Sequence, residues 1–136
     1  MCIRDRVVGD RFVFQSEVLF PPGATTLSPE GRDQIARVAR MLSDIADDIP
    51  PEIDWIIRVD GHSDSTLLSG TGRYRDNWEL SQARALAVVR YMTEDLGFPA
   101  NRLAATGFAD TRPVTQGTTP EALAANRRIE LKLTER

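Results

Sequence analysis

Residues 59–64, Val-Asp-Gly-His-Ser-Asp, and residues 77–84, Asn-Trp-Glu-Leu-Ser-Gln-Ala-Arg, hold polar side chains where composition alone would not place them. An apolar-rich run at residues 55–59 comes before the first motif and predicts a strand that ends near Gly61. A helix is predicted to begin near Asn77, because asparagine is a favoured N-cap residue. The stretch therefore predicts a strand, a loop and a helix.

The predicted helix, residues 78–96, has an arginine on its apolar side. With about 100° between successive residues, Arg84 falls inside the apolar face. A buried guanidinium without a partner is costly, so Arg84 must either reach solvent or meet an anion. Asp64 is one candidate, and a ligand carrying an ammonium and a carboxylate would match the two charges. The face comprises Leu80, Ala83, Ala87, Val88, Tyr91 and Met92.

The other patterns predict that strands and helices alternate along the chain. We expect strands at residues 12–19, 102–108 and 129–133, and a short helix at residues 118–125. Ser28 and Pro29 suit the start of a long helix. We therefore predict an α/β fold, β-α-β-α-β-β, with a single mixed sheet of about four strands and two long helices packed on one face. The core stripe of the first long helix is predicted to be Ile35, Val38, Ala39, Leu42, Ile45 and Ala46.

Composition limits the function classes that the chain can serve. Its 136 residues, 41% of them hydrophobic and 27% charged, suit one globular domain. The net charge of −3 gives no general attraction to nucleic acid or to an acidic membrane surface, so neither partner is expected. No apolar run approaches the roughly 20 residues of a membrane-spanning helix. Cys2 is the only cysteine, so no internal disulfide can form.

Four motifs, taken in order, resemble one known family. Residues 61–64 resemble the glycine-histidine-threonine-aspartate strand end of OmpA-like C-terminal domains, with serine in place of threonine. Residues 77–85 look like the helix start of that family, and residues 105–110, Pro113 and residues 126–130 follow in its order. The resemblance runs from about Val18 to Leu133. The long connection at residues 65–76 is most similar to the corresponding connection in the flagellar stator B-subunit branch of this family.

The resemblance implies non-catalytic, non-covalent binding of peptidoglycan through the diaminopimelate of its stem peptide, without a cofactor. It implies that Asp64 receives the diaminopimelate ammonium and Arg84 its carboxylate. Arg128 is expected to be exposed. Pro21 and Pro22 replace the aspartate of the family's phenylalanine-aspartate turn, which leaves the role of that turn open. The further residues that the resemblance assigns to the ligand site are Asn77, Ser63, Arg127, Thr106, Gly107 and Phe20.

The resemblance also implies a location and an architecture. We expect a periplasmic domain at residues 7–136, attached to a cell envelope membrane by segments that this chain lacks. Residues 1–6 fit no part of the pattern and are interpreted as a non-native or boundary segment. An alternative interpretation is the dimerising wall anchor of a stator-like, ion-driven motor, which predicts a homodimer.

An enzymatic alternative rests on His62. Asp60, His62 and Asp64 alternate along one strand end and imitate a metal-dependent hydrolytic cluster. However, His62 is the only histidine, and no motif places a serine nucleophile beside it. We therefore expect neither an enzyme nor a metal site, and interpret His62 as a hydrogen-bonded support for the loop.

Overall fold

The computed structural model describes residues 6–8, 11–21, 24–64 and 76–135. These residues form one five-stranded sheet in the order β1-β2-β5-β3-β4. The β3–β4 pair is parallel and the other pairs are antiparallel, so the predicted mixed sheet is confirmed, with a three-residue edge strand added. The strands are β1 (Arg6–Val8), β2 (Arg11–Gln15), β3 (Trp55–His62), β4 (Leu103–Gly107) and β5 (Arg128–Glu135).

Four α-helices lie within the described residues and connect the strands. They are α1 (Ser16–Leu19), α2 (Pro29–Asp47), α3 (Asn77–Arg90) and α4 (Pro120–Asn126). A π-helical turn, Tyr91–Asp95, continues α3, and a 3₁₀ turn, Ala100–Arg102, precedes β4. Within the described parts of the chain, no helix combines the length and the apolar character that crossing a bilayer requires.

The helix ends show which capping predictions hold. Ser28 Oγ accepts a hydrogen bond from the Gly31 amide at 2.9 Å, which confirms the predicted cap of α2. The cap of α3 is Asp76, whose carboxylate accepts from the Glu79 amide at 3.0 Å. The prediction that Asn77 caps this helix is therefore wrong, and Asn77 is its first residue.

The predicted strand at residues 12–19 ends early. The ladder between β2 and β5 stops at Gln15, and the chain turns into α1. The amide of Ser16 donates to the carbonyl of Arg127 at 2.9 Å, which fixes the point where the strand ends. Residues 16–19 are therefore helical, and their prediction as strand is wrong.

The hydrophobic core lies between one face of the sheet and the two long helices. Alternate strand residues on this face are buried, as period-two patterning requires, and fully burying a large apolar side chain contributes roughly 1.5–3 kcal/mol. The predicted core position Ile45 is wrong, because it is 43% exposed. The buried strand residues are Phe12, Phe14, Ile57, Val59, Ile129 and Leu131, and the helices add Ile35, Val38, Leu42, Ala85 and Val88.

Two glycines let α3 approach the sheet closely. A Cβ atom on Gly61 would lie 2.1 Å from the backbone oxygen of Ser81, and one on Gly107 would lie 2.7 Å from the backbone nitrogen of Gln82. The first half of α3 is therefore held against the ends of β3 and β4. This packing brings polar residues of α3 to the end of β3.

Some expectations lie outside the described residues. They concern Pro22, the loop at residues 65–75 and residues 1–5 of the boundary segment.

Candidate ligand-binding site

Asp64 lies just beyond the end of β3 and is only 7% exposed. Arg127 Nη1 donates to Asp64 Oδ2 at 2.5 Å. The backbone carbonyl of Asp64 accepts from Asn77 Nδ2 at 3.4 Å and from Ser63 Oγ at 3.2 Å. Four of the predicted site residues therefore meet at this strand end.

Arg127 also connects Asp64 to α1. Its Nε donates to a carboxylate oxygen of Glu17, so one guanidinium bridges two acidic side chains. Partial burial lowers the pKa of Arg127, but the hydrogen bonds to Asp64 and Glu17 outweigh burial and raise the pKa overall. The bridge therefore stays charged, and Arg127 holds the carboxylates of Asp64 and Glu17 together.

Arg84 is buried on the inner side of α3, as its place in the apolar face indicated, and is 8% exposed. Its Nε donates to the carbonyl of Ala24 at 3.0 Å. Its guanidinium carbon lies 5.1 Å from the centre of the Phe20 ring, a cation–π distance. Phe20 is itself only 1% exposed, so its ring supports Arg84 from within the protein.

The short helix α1 joins the two charged groups. Glu17, on α1, reaches the Arg127–Asp64 pair, and Phe20, directly after α1, lies beneath Arg84. Asn77 and Arg84 are seven residues apart on α3, about two helical turns, and therefore share one face. Asp64 and Arg84 accordingly flank the same segment at one end of the sheet.

Thr106 and Gly107, which the resemblance assigned to the ligand site, make other contacts in the structure. Gly107 packs against α3, and Thr106 is paired with Asp60 across the β3–β4 ladder. Because Ala105 packs on the core, Thr106 faces the other side of the sheet.

Sequence reasoning missed Glu17. It stands in a segment that was predicted as strand, and a four-residue helix is too short to show a helical period. Its role became visible only through Arg127, which is 110 residues away in the sequence.

The residues that could hold a metal differ from those of the enzymatic alternative, which were Asp60, His62 and Asp64. Ligand atoms of Asp60, His62 and Glu130 lie within 4.8 Å of one another, whereas Asp64 pairs with Arg127 instead. Both carboxylates of this cluster already form ion pairs with arginine side chains. Arg58 Nε is 2.8 Å from Asp60, and Arg11 Nη1 and Arg128 Nε are 3.0 and 2.5 Å from Glu130. A divalent ion would have to displace these cations, so the cluster suits a network of ion pairs better than a metal.

His62 is buried within this network and is 6% exposed. Among the described residues neither ring nitrogen has a hydrogen-bond partner, so the predicted hydrogen-bonded support is wrong. Its ring stacks on Phe108 at 5.0 Å with 8° between the planes. Burial and the positive charge of Arg128 lower the pKa of His62 to about 4, which keeps the imidazole neutral.

The acidic partners of His62 titrate abnormally for related reasons. Burial raises the pKa of Asp60, although Arg58 opposes the shift. Burial also raises the pKa of Glu130, but the hydrogen bond and charge of Arg128 outweigh it, so this pKa is lowered overall. Arg128 is only 5% exposed, and the prediction that it is exposed is wrong.

A cavity of about 220 Å³ adjoins the site on the side of Ser63. Ser63 and Asn126 line it, and these residues directly precede Asp64 and Arg127. The cavity is therefore lined by the chain neighbours of Asp64 and Arg127 and not by these two residues themselves. The rest of its lining is Asp110, Pro113, Thr115, Gln116, Gly117 and Thr118.

The sequence of this chain is similar to those of known proteins. The model of the OmpA family matches residues 19–127. The chain is 39% identical over 119 residues to YtxE of Bacillus subtilis, a match that covers 88% of this chain and 46% of YtxE. It spans about half the length of the curated relatives it matches.

Two solved structures show the same fold. A MotB-like protein from Desulfovibrio vulgaris superimposes with a TM-score of 0.80 at 32% identity, covering 93% of this chain and 75% of that chain. The cell wall anchor of the T6SS from Pseudomonas aeruginosa superimposes with a TM-score of 0.77 at 30% identity, covering 93% of this chain and 81% of that chain.

Proposed function

The chain belongs to the OmpA family of peptidoglycan-binding, wall-anchoring domains, and we propose on this basis that it binds peptidoglycan non-covalently through the diaminopimelate of the stem peptide. The supporting observation is that two buried, opposite charges, Asp64 and Arg84, flank α1. In this proposal the domain works in the periplasm and anchors a membrane-attached protein to the wall.

Asp64 receives the ammonium of the side-chain stereocentre of diaminopimelate. A carboxylate has about four lone-pair directions, so Asp64 can accept from the ligand while Arg127 remains bound. Because Arg127 also contacts Glu17, the carboxylate is held in a fixed orientation before the ligand arrives. Asn77 and Ser63 hold the backbone at the same point.

Arg84 receives the carboxylate of the same stereocentre. Its guanidinium has five N–H donors in a planar fork, which suits bidentate binding of a carboxylate. The contact of Nε with the Ala24 carbonyl and the ring of Phe20 fix the plane of the fork. A ligand must therefore present both charges at the correct spacing.

The two charges can be tested separately with two peptides. One is a stem tripeptide that ends in diaminopimelate, and the other is the same peptide with lysine, which has the ammonium but lacks the adjacent carboxylate. Calorimetric titration of the protein should show at least about tenfold tighter binding of the diaminopimelate peptide, because a charge-assisted hydrogen bond is worth roughly 1.5–3 kcal/mol.

The variants then have distinct expected effects. Asp64→Asn should weaken both peptides, whereas Arg84→Gln should weaken only the diaminopimelate peptide and abolish the preference. Arg90→Gln, which changes an exposed arginine of the same helix, is the matched control and should behave as wild type. Pull-down with purified sacculi extends the comparison to the polymer. Unchanged affinity in a folded Arg84→Gln or Asp64→Asn variant would refute the proposal.

A second candidate function is the wall anchor of a stator-like motor. The similarity to the MotB-like protein, 32% identical with a TM-score of 0.80, favours this candidate. It predicts that the domain dimerises, alone or on binding peptide. Light scattering over a range of protein concentrations, with and without the peptide, measures this directly, and a monomer under all conditions would argue for a simple tether.

A further inference from the structure

The sheet face that is turned away from α2 and α3 carries a row of three basic residues. Arg11 on β2 is directly opposite Lys132 on β5, and Lys132 is directly opposite Arg58 on β3. Adjacent strands are about 4.8 Å apart, so the row extends over roughly 10 Å across the sheet. Like charges directly opposite each other destabilise a sheet. Repulsion within this row therefore makes the pairing of the three strands less favourable.

The neighbouring acidic residues neutralise this face only in part. Glu130 accepts from Arg11 and Arg128, and Asp60 accepts from Arg58. Arg128 and Arg112 add two further cations beside the row. Among the described residues, five cationic side chains therefore share this face with two carboxylates, although the whole chain has a net charge of −3. We name Arg11, Arg58, Arg112, Arg128 and Lys132 the basic sheet face.

Several donors of the basic sheet face are accessible and already oriented. The guanidinium carbons of Arg58 and Arg112 lie 5.8 and 5.3 Å from the centre of the Phe108 ring, so one aromatic ring positions both. Arg58 uses its Nε for Asp60 and Arg11 uses one Nη for Glu130. The side chains of Arg11 and Arg58 are 39% and 36% exposed, and Arg112 is exposed. Fixed guanidiniums of this kind match the oxygens of phosphate groups.

We propose that the basic sheet face binds a linear, hydrated phosphodiester polymer of the polyol phosphate type. The row of cations matches a chain of repeated anions, and binding would relieve the repulsion between Arg11, Lys132 and Arg58. The proposal goes beyond peptidoglycan binding, because it concerns the opposite face of the sheet from the helices and does not involve Asp64 or Arg84.

A membrane surface or a single-stranded nucleic acid fits this face less well. The exposed large apolar residues in the described part of the chain are Ile45, Trp78 and Val114, and none is on a strand of the sheet. A peripheral membrane surface needs apolar anchors, and single-stranded nucleic acid needs exposed aromatic rings for its bases. The ring of Phe108 is covered by His62 and flanked by Arg58 and Arg112. A phosphodiester polymer without bases or acyl chains requires neither exposed aromatic rings nor apolar anchors, so this face suits it better.

The test compares charge removal on the two sides of the molecule. Lys132→Gln and Arg112→Gln each remove a cation that has no ion pair with a described residue, so neither leaves a buried carboxylate unpaired. Arg37→Gln removes the same charge from the exposed side of α2 and is the control. Binding of poly(glycerol phosphate) is titrated at a series of salt concentrations, after circular dichroism confirms that each variant is folded.

The combined Lys132→Gln and Arg112→Gln variant should lose at least about tenfold in affinity. Its plot of log affinity against log salt should be shallower than wild type by about 1 per lost contact, whereas Arg37→Gln should match wild type. The proposal would be overturned if Arg37→Gln lost as much affinity for poly(glycerol phosphate) as the combined variant, or if the wild-type protein did not bind this polymer. Equally tight binding of oligothymidylate or phosphatidylglycerol vesicles would overturn the assignment of the polymer. Arg112 lies outside the strands, so the Arg112→Gln single variant remains informative if Lys132→Gln is unstable.

Discussion

At the scale of single residues, the buried charges of this protein are held by specific neighbours. Arg84 contacts the Ala24 carbonyl and the Phe20 ring, and Asp64 contacts Arg127. Removing Arg127 would take its described cation from the buried carboxylate of Asp64, which costs more than the pair contributes. Asp64→Asn, which keeps the shape of the side chain, and Arg84→Gln, which keeps a polar side chain, are therefore better probes of ligand binding than truncation to alanine.

His62 should make the stability of the protein fall at mildly acidic pH. The pKa of His62 is about 4 in the folded protein and 6.5 in the unfolded chain. Below pH 6.5 the unfolded chain therefore binds a proton that the folded protein does not. Stability is therefore lost as the pH falls from about 6.5 towards 4, by up to about 3 kcal/mol. Urea unfolding at stepped pH should show this loss in wild type and not in His62→Gln.

The comparison with His62→Gln removes the only histidine of the chain. The difference between the two stability curves therefore reports on His62 and on the part of the Glu130 pKa shift that depends on His62. The charges that surround it, Arg11, Arg112, Arg128, Glu130 and Asp60, are present in both proteins. Asp60 has a raised pKa and acts with the opposite sign, since the folded protein then binds its proton more readily, but this effect cancels in the difference. An imidazole that titrates near 6.5 in NMR spectra of the folded protein would contradict the prediction.

The sequence predicts some buried charges better than others. Arg84 was recognisable because it interrupts an apolar helix face. Arg128 was not, since it alternates with Ile129 on a strand, and alternation indicates which residues face the helices without indicating what covers the other side. Its burial depends on Glu130 and on the backbone of Arg112, 16 residues away.

At the scale of elements, the close packing of α3 on the sheet depends on Gly61. A Cβ at this position would lie 2.1 Å from a backbone oxygen of α3, and the helix would have to move away from β3. We expect Gly61→Ala to destabilise the protein by at least about 2 kcal/mol, as overpacking against backbone does. Equilibrium denaturation measures this change.

Gly97→Ala is the control for the Gly61 prediction. Gly97 follows the π-helical turn with φ of +73°, and an added Cβ would meet no atom within 4 Å. Its cost comes from backbone strain alone, about 1–2 kcal/mol. If Gly61→Ala proved no more destabilising than Gly97→Ala, α3 would not be held by the contact described here.

The long elements were predictable from the sequence because their patterns repeat. The stripe Ile35, Val38, Ala39 and Leu42 identified α2, and alternation at residues 129–133 identified β5. Helix α1 could not be predicted, because four residues contain little more than one turn and adjoin a strand-like run. Its position is set by the Ser16–Arg127 backbone hydrogen bond, a tertiary contact. The arrangement of the candidate site around α1 was unpredictable for the same reason.

At the scale of the whole molecule, the two proposed binding surfaces share one rigid frame. Asp64 lies two residues after β3, Arg127 directly precedes β5, and Arg58 and Lys132 lie within these two strands. Both strands are hydrogen-bonded to neighbours on each side, in the order β2-β5-β3-β4. Lys132 is opposite Arg58, which is six residues before Asp64, so this pair lies about 20 Å from Asp64 along the chain. At its other end the basic sheet face reaches the site, because Arg128 directly follows Arg127.

Hydrogen exchange should show that this frame is the most stable part of the protein. Amides of β3 and β5 should exchange only through global unfolding, with the free energy measured by denaturation, because both strands are central and their inner faces are buried. Residues 110–119 are exposed and should exchange by local opening, several kcal/mol more easily.

The diaminopimelate peptide at 100 times its Kd should raise the protection of β3 and β5 by about 2.7 kcal/mol, since these amides report the whole stabilisation by a bound ligand. If β3 and β5 exchanged as easily as residues 110–119, or if the bound peptide left their protection unchanged, the two strands would not be the frame that positions Asp64 and Arg127.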